Sequence, residues 1–299
     1  MEKQMKITGV IVTFNRLKFL KEAIEGVLTQ STPVNELIII NNASTDSTDE
    51  YLNSLNDSRL KVFNLTENLG GAGGFNYGLK QYMISDAESD YVWIMDDDTI
   101  PSHEALESLL QSANSHQDFG FLASRVEWID GSAALMNLPH AVGNGYLNFS
   151  KGDIQVESAS FVSMLIKRDK INEVGYPVKD FVIWGDDVEY STRLSNKWPS
   201  YFVFDSVVTH KMGENTGTDI LNDLDVRIPR YFYANRNNLY MLRKHRGTKS
   251  AIKESLKRFK LVVRILKKKG LTNKNKRVSV VVKGTVMGWM FNPIVEQVK

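Results

Sequence analysis

The chain has 299 residues, 42% of them hydrophobic and 10% aromatic, with a formal net charge of +2. That is enough apolar material for one large α/β domain, or a domain with an appendage, and it excludes a disordered chain. There is no cysteine, which excludes disulfides, thiolate metal sites and cysteine nucleophiles and fits a reducing cytosol.

Met1-Glu2-Lys3-Gln4-Met5-Lys6 leads straight into a strand-like run, without the pattern of a secretory signal. No apolar stretch reaches the roughly 18 residues of a membrane span. Ile7 to Phe14 is β-rich and ends at Asn15-Arg16; a helical pattern follows from Leu17 to Leu28, broken by Pro33 and Asn35. Leu37 to Ile40 reads as a second buried strand ending in Asn41-Asn42-Ala43-Ser44-Thr45-Asp46. Ser47 to Leu55 looks helical, and Leu60 to Leu65 forms a third strand. Gly70-Gly71-Ala72-Gly73-Gly74 opens another helix through Met83, and Tyr91 to Met95 is a fourth strand. Continuous apolar strands alternating with helices predict a parallel sheet covered on both faces, with the ligand beyond the carboxyl ends of the strands. The polar clusters fall at those ends.

Beyond a helix predicted over Ser102 to Ser112, the alternation weakens. Gly120 to Trp128 and Ser158 to Lys167 read as strands, with a Gly-rich excursion from Gly131 to Gly152 between them. Val188 to Ser195 looks helical, and Tyr201 to Val208 is a strand leading to His210. Charge is divided unevenly along the chain. Residues 248–299 hold 14 Lys and Arg against 2 Glu, leaving 23 basic and 33 acidic residues before them. In this tail Ile252, Leu256, Phe259, Val263 and Leu266 recur at helical spacing beside Lys253, Lys257, Lys260, Arg264 and Lys267. Such a basic amphipathic helix suits an anionic membrane surface, through residues 249–277, or else packs on its own domain with a solvated basic face. Nucleic acid is disfavoured, because no aromatic interleaving accompanies the charge.

Three clusters carry candidate chemistry. Asp96-Asp97-Asp98 follows the fourth strand directly. Three adjacent carboxylates repel one another, and a divalent cation carrying phosphates would hold them; the alternative is a polar turn before Pro101. The glycine run either cradles phosphate or loosens a helix entry so that substrate can approach the backbone, and it matches neither a Walker loop nor a dinucleotide fingerprint. Trp184-Gly185-Asp186-Asp187-Val188-Glu189 places two acids at a helix start, either as caps or as a general base beside a flat aromatic suited to a sugar ring. His210, at a strand end, is either a satisfied buried histidine or a partner of carboxylates on a metal.

Taken in order, these segments resemble an inverting glycosyltransferase of family 2, over roughly residues 6 to 245. Val10-Ile11-Val12-Thr13-Phe14-Asn15-Arg16 looks like that family's first strand and nucleotide loop, and Asn41 to Asp46 like its second loop. Asp96-Asp97-Asp98 matches its Asp-x-Asp motif, and Trp184 to Tyr190 its acceptor and base motif. Asn68-Leu69-Gly70-Gly71-Ala72-Gly73-Gly74-Phe75 and a histidine after the base motif resemble galactofuranosyltransferases; Tyr231-Phe232-Tyr233-Ala234-Asn235-Arg236-Asn237 resembles a segment they share with rhamnosyltransferases. Asn41-Asn42 departs from the acidic residues common at the second loop, although an amide still pairs with uracil.

The resemblance implies a GT-A fold, a Rossmann-like nucleotide-sugar-binding α/β sheet flanked by helices, over residues 1–245, with a basic, mostly helical region over 246–299. It implies that Thr13, Phe14, Asn15, Arg16, Asn42, Asp96 and Asp97 line the nucleotide. Asp96, Asp98 and His210 would ligate Mn²⁺ or Mg²⁺, Asp187 would be the base, and Asp186, Trp184 and Gly74 would border the sugars. The implied reaction transfers galactofuranose from UDP-galactofuranose, with inversion, to a lipid-linked glycan at the cytoplasmic face of a bacterial membrane. A rhamnosyltransferase using dTDP-rhamnose shares nearly every motif. A nucleotidyltransferase would need a basic Gly-rich first loop, which is missing; an inactive nucleotide-sugar-binding scaffold would need no base. Self-association is compatible with all of these readings.

Overall fold

A computed structural model describes residues 5–85, 89–142, 152–215 and 217–298. Within them the chain runs β1 (Ile7–Thr13), α1 (Leu17–Leu28), β2 (Glu36–Asn41), α2 (Thr48–Ser54), β3 (Leu60–Asn64), α3 (Gly70–Ile84) and β4 (Tyr91–Asp96). It continues through β5 (Thr99–Pro101), α4 (Ala105–Ser115), β6 (Leu122–Glu127), β7 (His140–Ala141), β8 (Ile154–Ser158), β9 (Met164–Lys167) and α5 (Arg168–Val174). Then come α6 (Asp186–Ser195), β10 (Tyr201–His210), α7 (Arg230–Met241), α8 (Thr248–Lys267) and α9 (Lys274–Met290). The opening Met1-Glu2-Lys3-Gln4 and the later part of the Gly-rich excursion, residues 143–151, lie outside the described residues.

Two compact units emerge. The first holds residues 1–179, 187–216 and 295–299; the second holds 180–186 and 217–294. In the first unit the strands lie in the order β3-β2-β1-β4-β9-β6-β10-β8-β7, with β5 on β10. The β3-β2-β1-β4 half is parallel, as the alternation predicts. The other half, where the alternation weakens, is mixed: β9 runs antiparallel to both β4 and β6, while β10 is parallel to β6. The Ser158 to Lys167 run is also two elements, the end of β8 and then β9, divided at residues 159–163. A continuous apolar run reports burial on both faces, not the direction of the strand.

Each central strand feeds two cores by alternation. Ile7, Ile11, Leu37, Ile39, Trp93 and Met95 meet Leu20, Ile24 and Val27 of α1 and Leu106 and Leu109 of α4. Val10, Val12, Ile38, Ile40, Val92 and Ile94 meet Phe75, Leu79 and Tyr82 of α3 and Tyr190 and Leu194 of α6. Each fully buried aliphatic side chain contributes about 1.5–3 kcal/mol, so the register is strongly fixed on both faces. Helix α3 lies close because Gly74 and Gly78 face β1. A Cβ at Gly74 would stand 2.4 Å from Val12 Cγ1, and one at Gly78 2.7 Å from Val10 Cγ1.

The second unit is helical. Ile220, Leu221, Tyr231 of α7, Ile265 of α8 and Val281 of α9 form its core. Gly284 and Gly288 let α9 approach α7, since Cβ atoms there would meet Phe232 O at 2.6 Å and Leu239 Cβ at 2.7 Å. Helix α7 ends before residue 246 yet packs with α8 and α9 in this unit, whereas the shift to basic composition begins at residue 248. Among the described residues, no helix is long and apolar enough to cross a membrane.

Candidate active site

Strands β1, β2 and β4 end level with one another, since Thr13 pairs with Asn41 and Val12 with Asp96. That register brings three loops together at the carboxyl edge of the parallel half. Thr13 Oγ1 donates to Asp97 Oδ2 at 2.7 Å, and the Phe14 amide donates to the same oxygen at 3.3 Å. Asn15 holds the second loop: its amide donates to Ser44 Oγ at 3.0 Å, and its Oδ1 accepts from the Thr45 amide at 2.7 Å. Both loops carry left-handed non-glycine residues, Asn15 at φ 55° and Ala43 at φ 60°. Such strain persists where the surroundings over-determine the backbone, which is common at functional sites.

Beyond β4 the chain turns into β5, which pairs antiparallel with β10 and sets Thr99 opposite His210. That pairing delivers His210 to Asp98. His210 Nε2 lies 3.0 Å from Asp98 Oδ1, and its Nδ1 lies 2.8 Å from Asn137 Oδ1. The Arg16 guanidinium pairs with Asp98 and lies 3.7 Å from Asp97 Oδ1. One ligand atom each from Asp96, Asp98 and His210 falls within 4.8 Å of the others. The set of two carboxylate oxygens and one imidazole nitrogen fits Mn²⁺, or Mg²⁺ with less nitrogen preference. Asn137 strengthens the fit. An Nδ1–H donated to its amide oxygen leaves Nε2 facing the carboxylates, the arrangement that orients metal-ligating histidines.

The electrostatics separate the three acids. Burial, then Asp98, pushes Asp96 up to about 6, with Asp187 adding to the rise and His210 opposing it. Burial and Asp98 likewise push Asp97 up to about 7 against Arg16 and Thr13. Burial works the same way on Asp98, but there the hydrogen bond and charge of His210, with Arg16, win and hold it below the ordinary range. His210 is correspondingly raised: its burial is outweighed by the bond and charge of Asp98. One firmly ionised acid, Asp98, thus sits beside two that resist ionisation, a state a divalent cation would relieve.

Asp187, at the start of α6, belongs to the same unit and contributes to the field at Asp96. Its Oδ1 accepts from the Val188 amide at 2.7 Å, which fixes the side chain. Farther along α6, Glu189 Oε2 accepts from Arg193 Nε at 2.9 Å, and Arg193 bonds to the Val174 and Tyr176 carbonyls, so this acid is architectural. Trp184, Gly185 and Asp186 fall in the second unit. There Trp184 packs edge-on against Tyr231, ring centroids 5.2 Å apart. The loop before it is strained, with Val182 at φ 66° and Trp184 at φ 65°, and Gly185 follows at φ 89°. The buried amide of Asn237 holds it, lying 3.0, 3.2 and 2.9 Å from the carbonyls of Phe181, Ile183 and Trp184.

Two of the candidate site residues also have structural partners. Asn42, expected at the uridine, is buried, and its amide bonds within the fold: Nδ2 donates to Gly70 O at 3.0 Å, and Oδ1 accepts from the Leu69 amide at 2.9 Å. It fastens the start of α3 together with Asn68, whose Oδ1 accepts from the Gly70 amide at 2.8 Å, because the N-cap residue Leu69 has no side-chain acceptor. Gly74 has a packing role against Val12 that by itself accounts for the missing side chain. Conversely, sequence reasoning passed over Asn137, inside a segment read only as Gly-rich, and Asn237, noticed only as part of a family-like run. An Asx residue bonded to a distant histidine or carbonyl carries no local signal.

A sequence model described as Glycosyl transferase family 2 matches residues 8–175. Galactofuranosyltransferase GlfT1 of Mycolicibacterium smegmatis is 26% identical over 202 residues, covering 63% of this chain and 65% of that protein. Poly-beta-1,6-N-acetyl-D-glucosamine synthase of Staphylococcus aureus (strain COL) is 26% identical over 193 residues, covering 63% of this chain and 45% of that protein. The chain therefore spans about half to two thirds of the length of these relatives. A solved mannosyltransferase from Pyrobaculum calidifontis, in complex with GDP-Man and Mn²⁺, superimposes with a TM-score of 0.55 at 13% identity, covering 97% of this chain and 74% of that one. The shared architecture is the GT-A fold.

Proposed function

Because the chain belongs to glycosyl transferase family 2, we propose that it is a metal-dependent inverting transferase moving galactofuranose from UDP-galactofuranose. The acceptor is a hydroxyl of a lipid-linked glycan, as in bacterial surface polysaccharide synthesis, which sets the enzyme at the inner face of the cell membrane. The observation that carries the chemistry is the convergence of Asp96, Asp98 and His210, with Asn137 behind the imidazole. The donor reading is supported by the likeness to a galactofuranosyltransferase.

Asp96, Asp98 and His210 hold the cation, with Mn²⁺ first and Mg²⁺ second. When bound, it neutralises the diphosphate that leaves, so no general acid is needed. Arg16, already at this cluster, offers a second positive charge to the same phosphates. The loops of Thr13 to Arg16 and Asn41 to Asp46 form the nucleotide cradle, shaped by Asn15 and by Asn42. Asp187 takes the acceptor proton, while Asp186 and Trp184 position the acceptor. A single base on the face opposite the leaving diphosphate implies direct displacement through an oxocarbenium-like state, hence inversion.

The test is a panel of sugar nucleotides with Mn²⁺, wild type beside Asp187→Asn. Consumption of UDP-galactofuranose should fall about 10²- to 10⁴-fold in the variant while UDP binding persists. Turnover of dTDP-rhamnose alone would keep fold and mechanism and replace the donor, a reading with which the Tyr231 to Asn237 segment is equally compatible. UDP binding without turnover, with acceptor supplied, would leave an inactive scaffold.

A further inference from the structure

Helix α8 buries a different line of residues from the one its sequence advertises. Ala251, Arg258 and Ile265, seven residues apart, face the interior of the second unit. The regular apolar stripe does not: Ile252 is 49% exposed, Leu256 62%, Phe259 70% and Leu266 52%. At about 100° per residue, this ridge lies roughly a third of a turn from the buried line. Lys253, Lys257, Lys260, Arg264 and Lys267 follow on its far side. The helix thus has three faces: packed, apolar and basic.

The ridge does not stop at α8. Ser255 lies between the buried line and the ridge, and its hydroxyl accepts from Trp289 Nε1 of α9 at 3.2 Å. Just past that seam α9 exposes Val282 at 46%, Val286 at 53% and Met290 at 64%. Two neighbouring helices therefore share one outward apolar surface, while each buries a separate line of residues in the unit. A helix that owes its stripe to a core buries it, and this stripe is open. Between residues 248 and 295, Glu254 is the single acid.

We propose that this α8–α9 ridge, with the α8 row of lysines beside it, is a docking face for an anionic lipid bilayer. An interfacial helix buries an apolar face into the headgroup boundary and sets cations among anionic headgroups, which is the chemistry shown here. A second copy of the chain fits less well, since a self-complementary contact would bring two basic rows together. Nucleic acid fits the charge but not a ridge on which Phe259 is the one aromatic among aliphatic side chains. The face rests on exposure and charge; in identifying the surface that presents a lipid-linked acceptor, it deepens the function proposed above.

Flotation of the full chain with vesicles tests it. Wild type should bind phosphatidylglycerol-containing vesicles and ignore pure phosphatidylcholine. Leu256→Ser with Phe259→Ser, both at exposed positions, should weaken association at least about tenfold. Lys253→Gln, Lys257→Gln and Lys260→Gln together should weaken it on the order of a hundredfold and flatten its salt dependence. All variants should keep the wild-type thermal midpoint and UDP binding. The proposal is overturned if wild type ignores anionic vesicles, if the serine substitutions change nothing, or if they instead convert a wild-type dimer into monomers. Vesicle binding without sugar-nucleotide turnover would sink the enzyme reading alone; turnover without vesicle binding would sink this one alone.

Discussion

The two units treat buried charge in opposite ways. In the helical unit, Arg277 is 2% exposed and each guanidinium nitrogen has a partner: Nε donates to Thr272 O at 3.0 Å, and Nη2 to Asp223 O at 3.1 Å and Asp225 Oδ1 at 2.5 Å. Its Nη1 donates to Ile220 O. Arg258 is similar, donating to Asn235 O at 2.7 Å and Asn238 Oδ1 at 2.6 Å. These cations are finished by neutral oxygens and one acid each, Asp225 for Arg277 and Glu254, 3.6 Å from Nε, for Arg258. In the sheet unit three consecutive acids share one guanidinium and one imidazole, and two of them remain pushed toward neutrality. A buried charge with all partners supplied is architecture. A cluster left in electrostatic debt is where a ligand of opposite charge gains most.

The comparison breaks most visibly if neutralising an acid harms folding rather than function. Asp96→Asn removes a carboxylate that burial and Asp98 already disfavour. It should cut Mn²⁺-dependent kcat/KM by about a thousandfold, or ~4 kcal/mol, with a thermal midpoint level with or above wild type. Steady-state kinetics and calorimetry on one preparation decide it; a falling midpoint would make the cluster structural. Next in size is Arg277→Met, which strands three carbonyls and Asp225. It should cost the helical unit about 3 kcal/mol, read as an earlier unfolding transition by circular dichroism, while UDP binding below that transition persists. Loss of UDP binding at low temperature would show that the two kinds of charge are not separable.

Some of this was legible in the residues. Helix α1 runs from Leu17 to Leu28, the bounds its periodicity predicts, because a single amphipathic repeat ends before Pro33. The parallel strands were visible as unbroken apolar runs with polar ends. Strand direction was not: β9 has the same apolar character as β4, and only the route of the chain turns it over. Helix α9 lies within the mostly helical region expected over 246–299, but its bounds carry no clear signal, because Val278 to Val282 is rich in β-branched residues, which helices disfavour; packing through Gly284 and Gly288 outweighs that preference. The candidate metal triad joins Asp98 to a histidine 112 residues away, so local pattern could nominate its members but not assemble them. Family likeness did that, and it could not supply Asn137, whose role depends on where a loop lands.

The smallest expected effect tests the rule on an acid of the sheet unit with its partners supplied. Glu296, in the segment 295–299 that belongs to that unit, accepts from Lys80 Nζ at 2.8 Å, Asn76 Nδ2 at 2.9 Å and Lys179 Nζ at 3.2 Å. Its partial burial favours the neutral form, but those three donors prevail and bring it down to about 2. A depressed folded pKa stabilises above the unfolded value near 4.5 and loses that contribution as pH falls through the interval down to about 2. The site is partly open to water, so screening limits the contribution to about 1 kcal/mol or less. Glu296→Gln should therefore lower the midpoint slightly at pH 7 and flatten the acid limb of the stability profile between roughly pH 4.5 and 2. UDP and Mn²⁺ binding should not change, because this carboxylate, unlike Asp96, already has its positive partners within the fold. If Glu296→Gln stabilised the protein instead, having partners supplied would no longer distinguish the acids that hold the fold from those that await a ligand.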